Sequence, residues 1–236
     1  MTPEFVLLTI IAYLLGSVPA AYLAAKWSRG IDLRRFGTGN VGGSNLIKAT
    51  SFKLAIPVFV YDFLKGAGPV WLAQAISLSP YSQITVGICA IIGHNWPVFL
   101  RFQGGRGILT SEAVIFAISP ILGLITLVIA YALAPFKQLS LGVFIALLVL
   151  PVWSWLAAGW LGIEERLPIT LGFVILAAIA FLRRLWVPRT ALSRSVGGLE
   201  LFTNRLLLDR DIRDRKAWIN QRRTSGQESE TAENTI

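Results

Sequence analysis

The stretch ILTSEAVIFAISPILGLITLVIAYALA, residues 108–134, decides how this chain can fold. Its apolar length exceeds the roughly 20 residues that one helix needs to cross a bilayer. Ser119-Pro120 interrupts it, and the residue before a proline is disfavoured in helical geometry. We therefore predict two helices, near 109–118 and near 120–134, that run into the membrane and back.

The rest of the chain is also dominated by apolar segments. Of its 236 residues, 54% are hydrophobic and only 15% are charged, whereas a soluble domain is about 25% charged. These values nearly exclude a soluble, disordered or collagen-like protein. Further stretches with the length of membrane helices lie near 4–26, 52–77, 81–101, 139–160 and 167–187. We expect seven helical segments, one of them too short to span.

Basic residues predict the orientation, because cytoplasmic connections of membrane proteins are enriched in Lys and Arg. The net charge is +9, and two connections hold most of the informative cations. In the first they are Lys26, Arg29, Arg34, Arg35, Lys48 and Lys53, and after the last span they are Arg183, Arg184, Arg189 and Arg194. Both connections should be cytoplasmic, which requires an odd number of crossings. We predict an all-α polytopic membrane bundle with an external N-terminus and a cytoplasmic C-terminus.

The apolar pattern also divides the chain. We expect a membrane-embedded domain over residues 1–187 and a basic cytoplasmic tail over residues 188–236. Residues 204–223 are rich in Arg and Asp and predict a surface helix, whereas residues 224–236 are polar and predict disorder.

Cysteine and histidine counts limit the chemistry. The chain has one cysteine, Cys89, and one histidine, His94. A disulfide scaffold and any multi-cysteine zinc or iron–sulfur site are excluded, as are sites that need two histidines. We expect neither a metal nor a cofactor.

The first polar cluster, here called the first glycine loop, is DLRRFGTGNVGGSNLIK, residues 32–48. It contains G-x-G-x-x-G from Gly37 to Gly42, but a dinucleotide site would need a βαβ unit around it, and membrane helices flank this one. Glycines let backbone N–H groups approach an anion, and a helix that begins near Ser44 adds a positive dipole end. The available donors and cations are Thr38, Asn40, Ser44, Asn45, Arg34, Arg35 and Lys48. The pattern favours an anion site; a flexible loop with a basic membrane-facing edge is the alternative.

Asp62 and Lys65 form a second cluster inside an apolar segment. An ionisable residue at membrane depth is costly and usually faces a partner or a watered cavity. Three positions apart, the two side chains share one helix face and can pair. A structural ion pair and a substrate-binding lysine both remain open.

The third cluster is GHNWPVFLRFQGGRG, residues 93–107. Gly104-Gly105-Arg106-Gly107, here called the second glycine loop, precedes the short apolar helix and is typical of a phosphate cradle, because arginine can bind phosphate oxygens in a bidentate manner. A lone His94 beside an apolar helix is more often packed and hydrogen-bonded than catalytic. Two such loops on one membrane face indicate two phosphate-bearing groups bound together, as in phosphoryl or acyl chemistry on a lipid precursor.

Together these motifs resemble those of the bacterial acyl-phosphate-dependent glycerol-3-phosphate acyltransferases, the PlsY family. The resemblance is carried by residues 16–45, by YDFLKGAGPV at 61–70 and by residues 93–107, and it extends from about residue 10 to 187. It implies a multi-pass enzyme of the bacterial inner membrane with seven helices and an external N-terminus. It also implies acyl transfer from acyl phosphate to the 1-hydroxyl of glycerol 3-phosphate, giving lysophosphatidic acid. Neither coenzyme A nor acyl carrier protein takes part.

The resemblance also implies site residues. The family motif G-S-G-N-x-G-A-T-N aligns with Gly37 to Asn45, where Thr38, Gly43 and Ser44 replace its serine, alanine and threonine. Lys48 replaces an arginine that follows this motif. In the family's G-G-K-G loop, which binds the phosphate of glycerol 3-phosphate, Arg106 stands for the lysine and Gln103 replaces a frequent lysine. The implied catalytic residues are Thr38, Asn40, Asn45 and Lys48. The implied substrate-binding residues are Gly37, Gly39, Gly42, Ser44, Asp62, Lys65, His94, Gly104, Gly105, Arg106 and Gly107.

The tail departs from the family pattern H-R-x-N-I-x-R-L-x-x-G-x-E. The nearest match runs from Arg205 to Asp211, with Asp211 at the position of the glutamate. This alignment puts Leu199 and Phe202 at the positions of the histidine and the asparagine. A non-catalytic paralogue, acting as a transporter or as a lipid- or phosphate-binding protein, is therefore the alternative to the enzyme. A head-group transferase would need clustered carboxylates for metal binding, which the cytoplasmic loops lack.

The expected partners follow from the same interpretation. They are acyl phosphate, glycerol 3-phosphate and membrane lipids. We expect a monomer and no nucleic-acid partner, since tail arginines beside a membrane usually meet anionic lipids.

Overall fold

The computed structural model describes residues 2–187 and 191–218, which form helices joined by turns and loops. The helices up to the end of the apolar region are α1 (Pro3–Ser17), α2 (Ala20–Arg29), α3 (Gly43–Ala49), α4 (Phe52–Ala75), α5 (Pro80–Asn95), α6 (Ile108–Ile118), α7 (Pro120–Ala132), α8 (Leu139–Leu156) and α9 (Arg166–Leu185). A short 3-10 turn, Val98–Leu100, follows α5, and α10 (Ala191–Arg194) and α11 (Gly198–Leu208) lie beyond α9.

Among the described residues, four segments are long and apolar enough to cross a membrane: Pro3–Arg29, Pro80–Leu100, Leu139–Leu156 and Arg166–Leu185. The 24-residue α4 is of similar length but carries a charged pair in its middle. The expected all-helical architecture with membrane-spanning segments is confirmed in this coarser form. The number of crossings and the sides of the termini stay predictions.

The predicted break at Ser119-Pro120 is present, since α6 ends at Ile118 and α7 begins at Pro120. Proline is well tolerated in the first helical turn, where its missing N–H would have had no partner. The Ser119 hydroxyl accepts a hydrogen bond from the backbone N of Leu122 and donates one to the carbonyl of Leu161. The same residue therefore caps α7 and ties it to the connection after α8.

A second break, at Val18-Pro19, divides a stretch for which the sequence predicted one continuous helix. Proline frees carbonyls of the preceding turn, and in a membrane such carbonyls need protein donors. Lys65 Nζ donates to the carbonyl of Val18 at 3.4 Å, and the Tyr61 hydroxyl donates to that of Leu15 at 3.0 Å. The polar face of α4 therefore stabilises the break.

Close packing of α1 on α5 sets the position of the third cluster. Gly16 lies directly on the backbone of Ala90, and Gly93 lies on the backbone of Tyr13, so a Cβ at either glycine would overlap main-chain atoms. Small residues permit this approach of membrane helices. The end of α5, and the loop that follows it, are thereby held against the first helix.

The described part of the tail packs against the membrane helices. In α11, Leu201, Asn204 and Arg205 are buried, and the helix contacts α8 and α9. In the described part of 204–223 the predicted surface helix is wrong, because α11 ends at Leu208 and buries one face, and a separate helical turn covers residues 215–218. Residues 219–223 lie outside the described ranges. The disorder predicted for 224–236 concerns residues outside the described ranges, and the division at 187/188 stays a prediction.

Candidate active site

The first glycine loop is organised around the buried side chain of Asn45. Its Nδ2 donates to the carbonyls of Leu33, Phe36 and Asn40 at 3.3, 2.9 and 3.1 Å. Its Oδ1 accepts from the backbone N of Thr38 at 3.3 Å. Because its amide is saturated by the loop, Asn45 shapes the loop.

The conformation of this loop also depends on glycine. Gly37 and Gly39 have φ values of +57° and +69°, in the left-handed region that side chains other than glycine rarely adopt. Helix α3 begins at Gly43, close to the predicted start at Ser44. Between them, these features present Thr38, Asn40 and Ser44 on one side of the loop.

Asp32 and Arg34 form an ion pair at the start of the loop. The Arg34 guanidinium donates to both carboxylate oxygens, with Nη2–Oδ2 at 2.6 Å, and it lies 5.2 Å from the centre of the Tyr22 ring. The hydrogen bond from this guanidinium lowers the pKa of the Asp32 carboxyl. Of the three cations expected to serve an anion, Arg34 is therefore used within the loop itself.

The second glycine loop is clamped by Arg183 at the end of α9. Arg183 Nε donates to the carbonyl of Gly105 at 3.0 Å and Nη2 to that of Gly104 at 2.8 Å. In return, Arg106 Nη1 donates to the carbonyl of Arg183 at 2.7 Å. The sequence indicated Arg183 only as a topology-setting charge, and its position at the end of an apolar helix does not reveal this second task.

The second cluster and His94 lie behind the second glycine loop. Lys65 Nζ is 2.7 Å from Asp62 Oδ1, and both side chains are almost fully buried. The His94 Nδ1 lies 3.4 Å from the Thr110 hydroxyl and 3.8 Å from Asp62 Oδ1. A Cβ on Gly105 would overlap the His94 ring, so this ring supports the loop directly.

The space beside these groups is about 10 Å³, about enough for one water molecule. Gly104 and Gly105 line this space and not the larger cavity described next, and the paired side chains of Asp62 and Lys65 line it as well. The structure therefore does not bring Asp62, Lys65 and His94 together with the exposed polar residues of the first glycine loop. Their assignment to substrate binding gains no support from the geometry.

A larger cavity of about 250 Å³, here called the polar cavity, lies between the two glycine loops. The predicted site residues that line it are Thr38, Asn40, Ser44, Lys48 and Arg106. The α7–α8 connection, the start of α8 and the described part of the tail complete the lining. Their residues are Lys137, Gln138, Leu139, Ser140, Leu208, Asp209, Arg210, Arg215 and Trp218. The structure therefore places residues of both loops around one cavity, and the shared substrate site stays a prediction.

The polar cavity is strongly cationic. Its described lining carries five basic side chains, Lys48, Arg106, Lys137, Arg210 and Arg215, against one carboxylate, that of Asp209. A cleft lined by one sign of charge raises the local concentration of the opposite ion. Sequence reasoning missed the contribution of the tail, because no local pattern indicates that a polar segment folds back over distant loops.

An apolar pocket of about 30 Å³ begins at Arg106, which also lines the polar cavity. It runs between α6, α7, α8 and α9, and its lining includes Ile115, Val143, Ala146 and Leu147. The carboxylate of Glu112 enters this pocket and accepts a hydrogen bond from the Thr126 hydroxyl at 3.0 Å. A cationic cavity and an apolar pocket thus meet at one arginine.

The tail residues aligned with the family histidine and asparagine lie away from this site. Leu199 and Phe202 are exposed and are absent from the lining of the polar cavity. Asn204 is buried, and its Nδ2 donates to the carbonyl of Asp211. Within the described ranges, no group of three His, Cys, Asp or Glu residues is placed to hold a metal ion.

Comparison with known proteins identifies the family of this chain. A family profile described as "Glycerol-3-phosphate acyltransferase" matches residues 6–194. The chain belongs to this family. Glycerol-3-phosphate acyltransferase 4 of Dehalococcoides mccartyi (strain CBDB1) is 47% identical over 221 residues, which are 94% of this chain and 95% of that relative. A glycerol-3-phosphate acyltransferase of Prochlorococcus marinus (strain MIT 9211) is 34% identical over 80% of this chain and 90% of its own.

Solved structures of family members share the fold. The crystal structure of PlsY (YgiH), an integral membrane glycerol 3-phosphate acyltransferase, in its glycerol 3-phosphate form has a TM-score of 0.70 and 30% identity. The match covers 77% of this chain and 88% of that one. Membership of the glycerol-3-phosphate acyltransferase family makes this chain an acyltransferase and an integral membrane protein.

Proposed function

We propose that this acyltransferase moves an acyl group from acyl phosphate to the 1-hydroxyl of glycerol 3-phosphate, giving lysophosphatidic acid and inorganic phosphate. The observation that supports this most directly is the junction of a cationic cavity with an apolar pocket at Arg106. Both substrates are phosphate anions, and the donor also carries an acyl chain. Membership of the family supports glycerol 3-phosphate as the acceptor. The assignment of acyl phosphate as the donor rests on the resemblance of the loop motifs.

In this proposal, Arg106 binds the phosphate of glycerol 3-phosphate, since a guanidinium matches phosphate geometry in a bidentate manner. Thr38, Asn40 and Lys48 bind the phosphate of the donor and stabilise it as it leaves. Ser44 adds a hydroxyl to the same wall, and Asn45 holds the loop in shape. The left-handed conformations of Gly37 and Gly39 give the first glycine loop the shape that presents these side chains.

Acyl phosphate is an activated mixed anhydride, so the protein mainly has to position the reactants and stabilise charge. The carboxylate of Asp209 is held on Arg106, and no other carboxylate lines the polar cavity in the described ranges. The phosphate of the acceptor itself can therefore take the hydroxyl proton. The first part of the acyl chain would occupy the apolar pocket.

The orientation is part of the proposal. The lining of the polar cavity includes segments rich in Lys and Arg, so this face is assigned to the cytoplasm of a bacterial inner membrane. α1 with α2, together with α4–α9, would then make seven membrane segments with the N-terminus external. We further propose that the enzyme acts as a monomer, because one chain supplies both phosphate loops.

The decisive experiment compares donors. Purified protein in detergent receives labelled glycerol 3-phosphate with acyl phosphate, acyl-coenzyme A or acyl carrier protein, and lysophosphatidic acid is measured. Product should form with acyl phosphate alone. Product with acyl-coenzyme A and none with acyl phosphate would overturn the donor assignment, and no product from any of the three donors would favour the non-catalytic paralogue.

A further inference from the structure

Asp209 lies at the end of α11 in a backbone conformation that is uncommon for residues other than glycine. Its φ and ψ are 52° and 40°, in the left-handed region, and its backbone N–H closes the helix on the carbonyl of Arg205. Aspartate and asparagine tolerate this conformation better than most other residues with a side chain. The turn directs the carboxylate into the polar cavity, where Oδ1 lies 2.8 Å from Arg106 Nη2.

The residues on both sides of Asp209 are firmly held. Arg205 Nε donates to Asp211 Oδ1 at 2.7 Å in a buried ion pair, and Arg205 Nη1 donates to the carbonyls of Leu185 and Val187 at the end of α9. The position of the Asp209 backbone is thereby set by the membrane helices. Its carboxylate can stay on Arg106 at a lower entropic cost than a side chain on a loose tail.

The three nitrogen atoms of the Arg106 guanidinium differ in their partners. Nη1 donates to the carbonyl of Arg183, whereas Nη2 lies 2.8 Å from Asp209 Oδ1 in an ion pair that lacks the geometry of a hydrogen bond, since this Oδ1 has no hydrogen-bond partner among the described residues. Nε is buried and has no hydrogen-bond partner among the described residues. The Nε–Nη2 edge is one that can bind two phosphate oxygens at once, and one half of it is covered by a carboxylate.

We propose that Asp209 is a built-in competitor of the substrate phosphate on Arg106, which glycerol 3-phosphate displaces when it binds. This inference rests on the proposed function, because that assigns the acceptor phosphate to Arg106. When a binding site is open for only a fraction of the time, the apparent dissociation constant increases by the inverse of that fraction. Asp209 thus weakens binding of the acceptor, and equally that of the product lysophosphatidic acid, whose phosphate occupies the same place before release.

Asp209→Asn tests this directly, since asparagine keeps the size and the left-handed backbone but loses the charge. Calorimetric titration of glycerol 3-phosphate, without donor and hence without turnover, should give a dissociation constant about three- to tenfold lower than in the parent protein. In turnover assays, KM for glycerol 3-phosphate should fall while kcat does not fall. Asp209→Gly, which also relieves the left-handed strain, should act in the same direction, and thermal unfolding in detergent verifies that both variants are folded.

The matched control is Asp214→Asn. Asp214 is exposed in the same tail, and its Oδ1 accepts from the backbone N–H groups of Lys216 and Ala217, which asparagine can also do. This variant removes the same charge without touching Arg106, and it should leave the dissociation constant unchanged. Equal tightening in both variants would mean a general charge effect and would overturn the proposal.

Two other results would also overturn it. Unchanged or weaker binding in folded Asp209→Asn would make Asp209 a positioning residue for Arg106, and a collapse of kcat would make it the proton acceptor. A failure of the proposed function can be distinguished from a failure of this inference about Asp209. If the parent protein neither binds glycerol 3-phosphate nor forms product, titration with inorganic phosphate still decides whether Asp209 covers an anion site.

Discussion

The Arg183 guanidinium and the Gly105 carbonyl are joined by a hydrogen bond of 3.0 Å between Nε and O, across 78 residues of sequence. With the bonds from Arg183 to Gly104 and from Arg106 back to Arg183, it closes a reciprocal clamp between the end of α9 and the second glycine loop. The position of Arg106 therefore depends on a residue outside the loop.

Arg183→Ala should disturb acyl transfer without removing any group proposed to bind substrate. The carbonyls of Gly104 and Gly105 lose their donors, at about 1–3 kcal/mol of folding free energy, and Arg106 is no longer held in place. We expect kcat/KM to fall about 10- to 100-fold, because small displacements of positioned groups are costly. Steady-state kinetics checks this, with exposed Arg29→Ala as the control, and equal activity in the two variants would contradict the clamp.

Alanine substitutions at Asn45 and at Asn40 should have different effects on stability, although both residues belong to the first glycine loop. Asn45→Ala removes hydrogen bonds to three carbonyls and one backbone N–H, and of these carbonyls that of Phe36 keeps the bond from Gly39 N–H, so the change should lower both stability, by about 1–3 kcal/mol, and activity. Asn40→Ala removes a cavity-lining amide and should lower activity with little change in thermal unfolding. The converse pattern would place the catalytic amide at Asn45.

Lys65→Met should destabilise the protein strongly, because it leaves the buried Asp62 carboxylate without its partner. Breaking a buried ion pair costs about 3–5 kcal/mol, and the double variant Asp62→Asn/Lys65→Met should recover part of that loss. Lys53→Met, an exposed change in the same helix, serves as the control in thermal unfolding. A folded, fully stable Lys65→Met protein without activity would instead indicate a substrate-binding lysine.

The apolar pocket predicts control over the acyl chain. Ala146 lines it and is buried, whereas Leu148 on the same helix is 56% exposed. Ala146→Phe should raise KM for long-chain acyl phosphates several-fold and leave KM for glycerol 3-phosphate unchanged. Leu148→Phe should change neither value. Identical donor profiles for Ala146→Phe and the parent protein would place the acyl chain elsewhere.

Local sequence features predicted much of the fold and part of the site. The break at Ser119-Pro120 was predictable because proline acts on its immediate neighbours, and the first glycine loop because its glycines and small donors are adjacent in sequence. The tasks of Arg183 and Asp209 were not predictable in this way. Their partners are 78 and 103 residues away in the chain, and only the packing of α9 and α11 brings them together.

The proposed function depends above all on Arg106 binding the phosphate of glycerol 3-phosphate, and a comparison of two proteins tests this assignment. Purified parent protein and Arg106→Ala are each given acyl phosphate and labelled glycerol 3-phosphate, with thermal unfolding to verify the fold. We predict that the parent protein forms lysophosphatidic acid and that the folded variant forms almost none, with weaker binding of glycerol 3-phosphate in calorimetry. Near-normal turnover by Arg106→Ala would contradict the account.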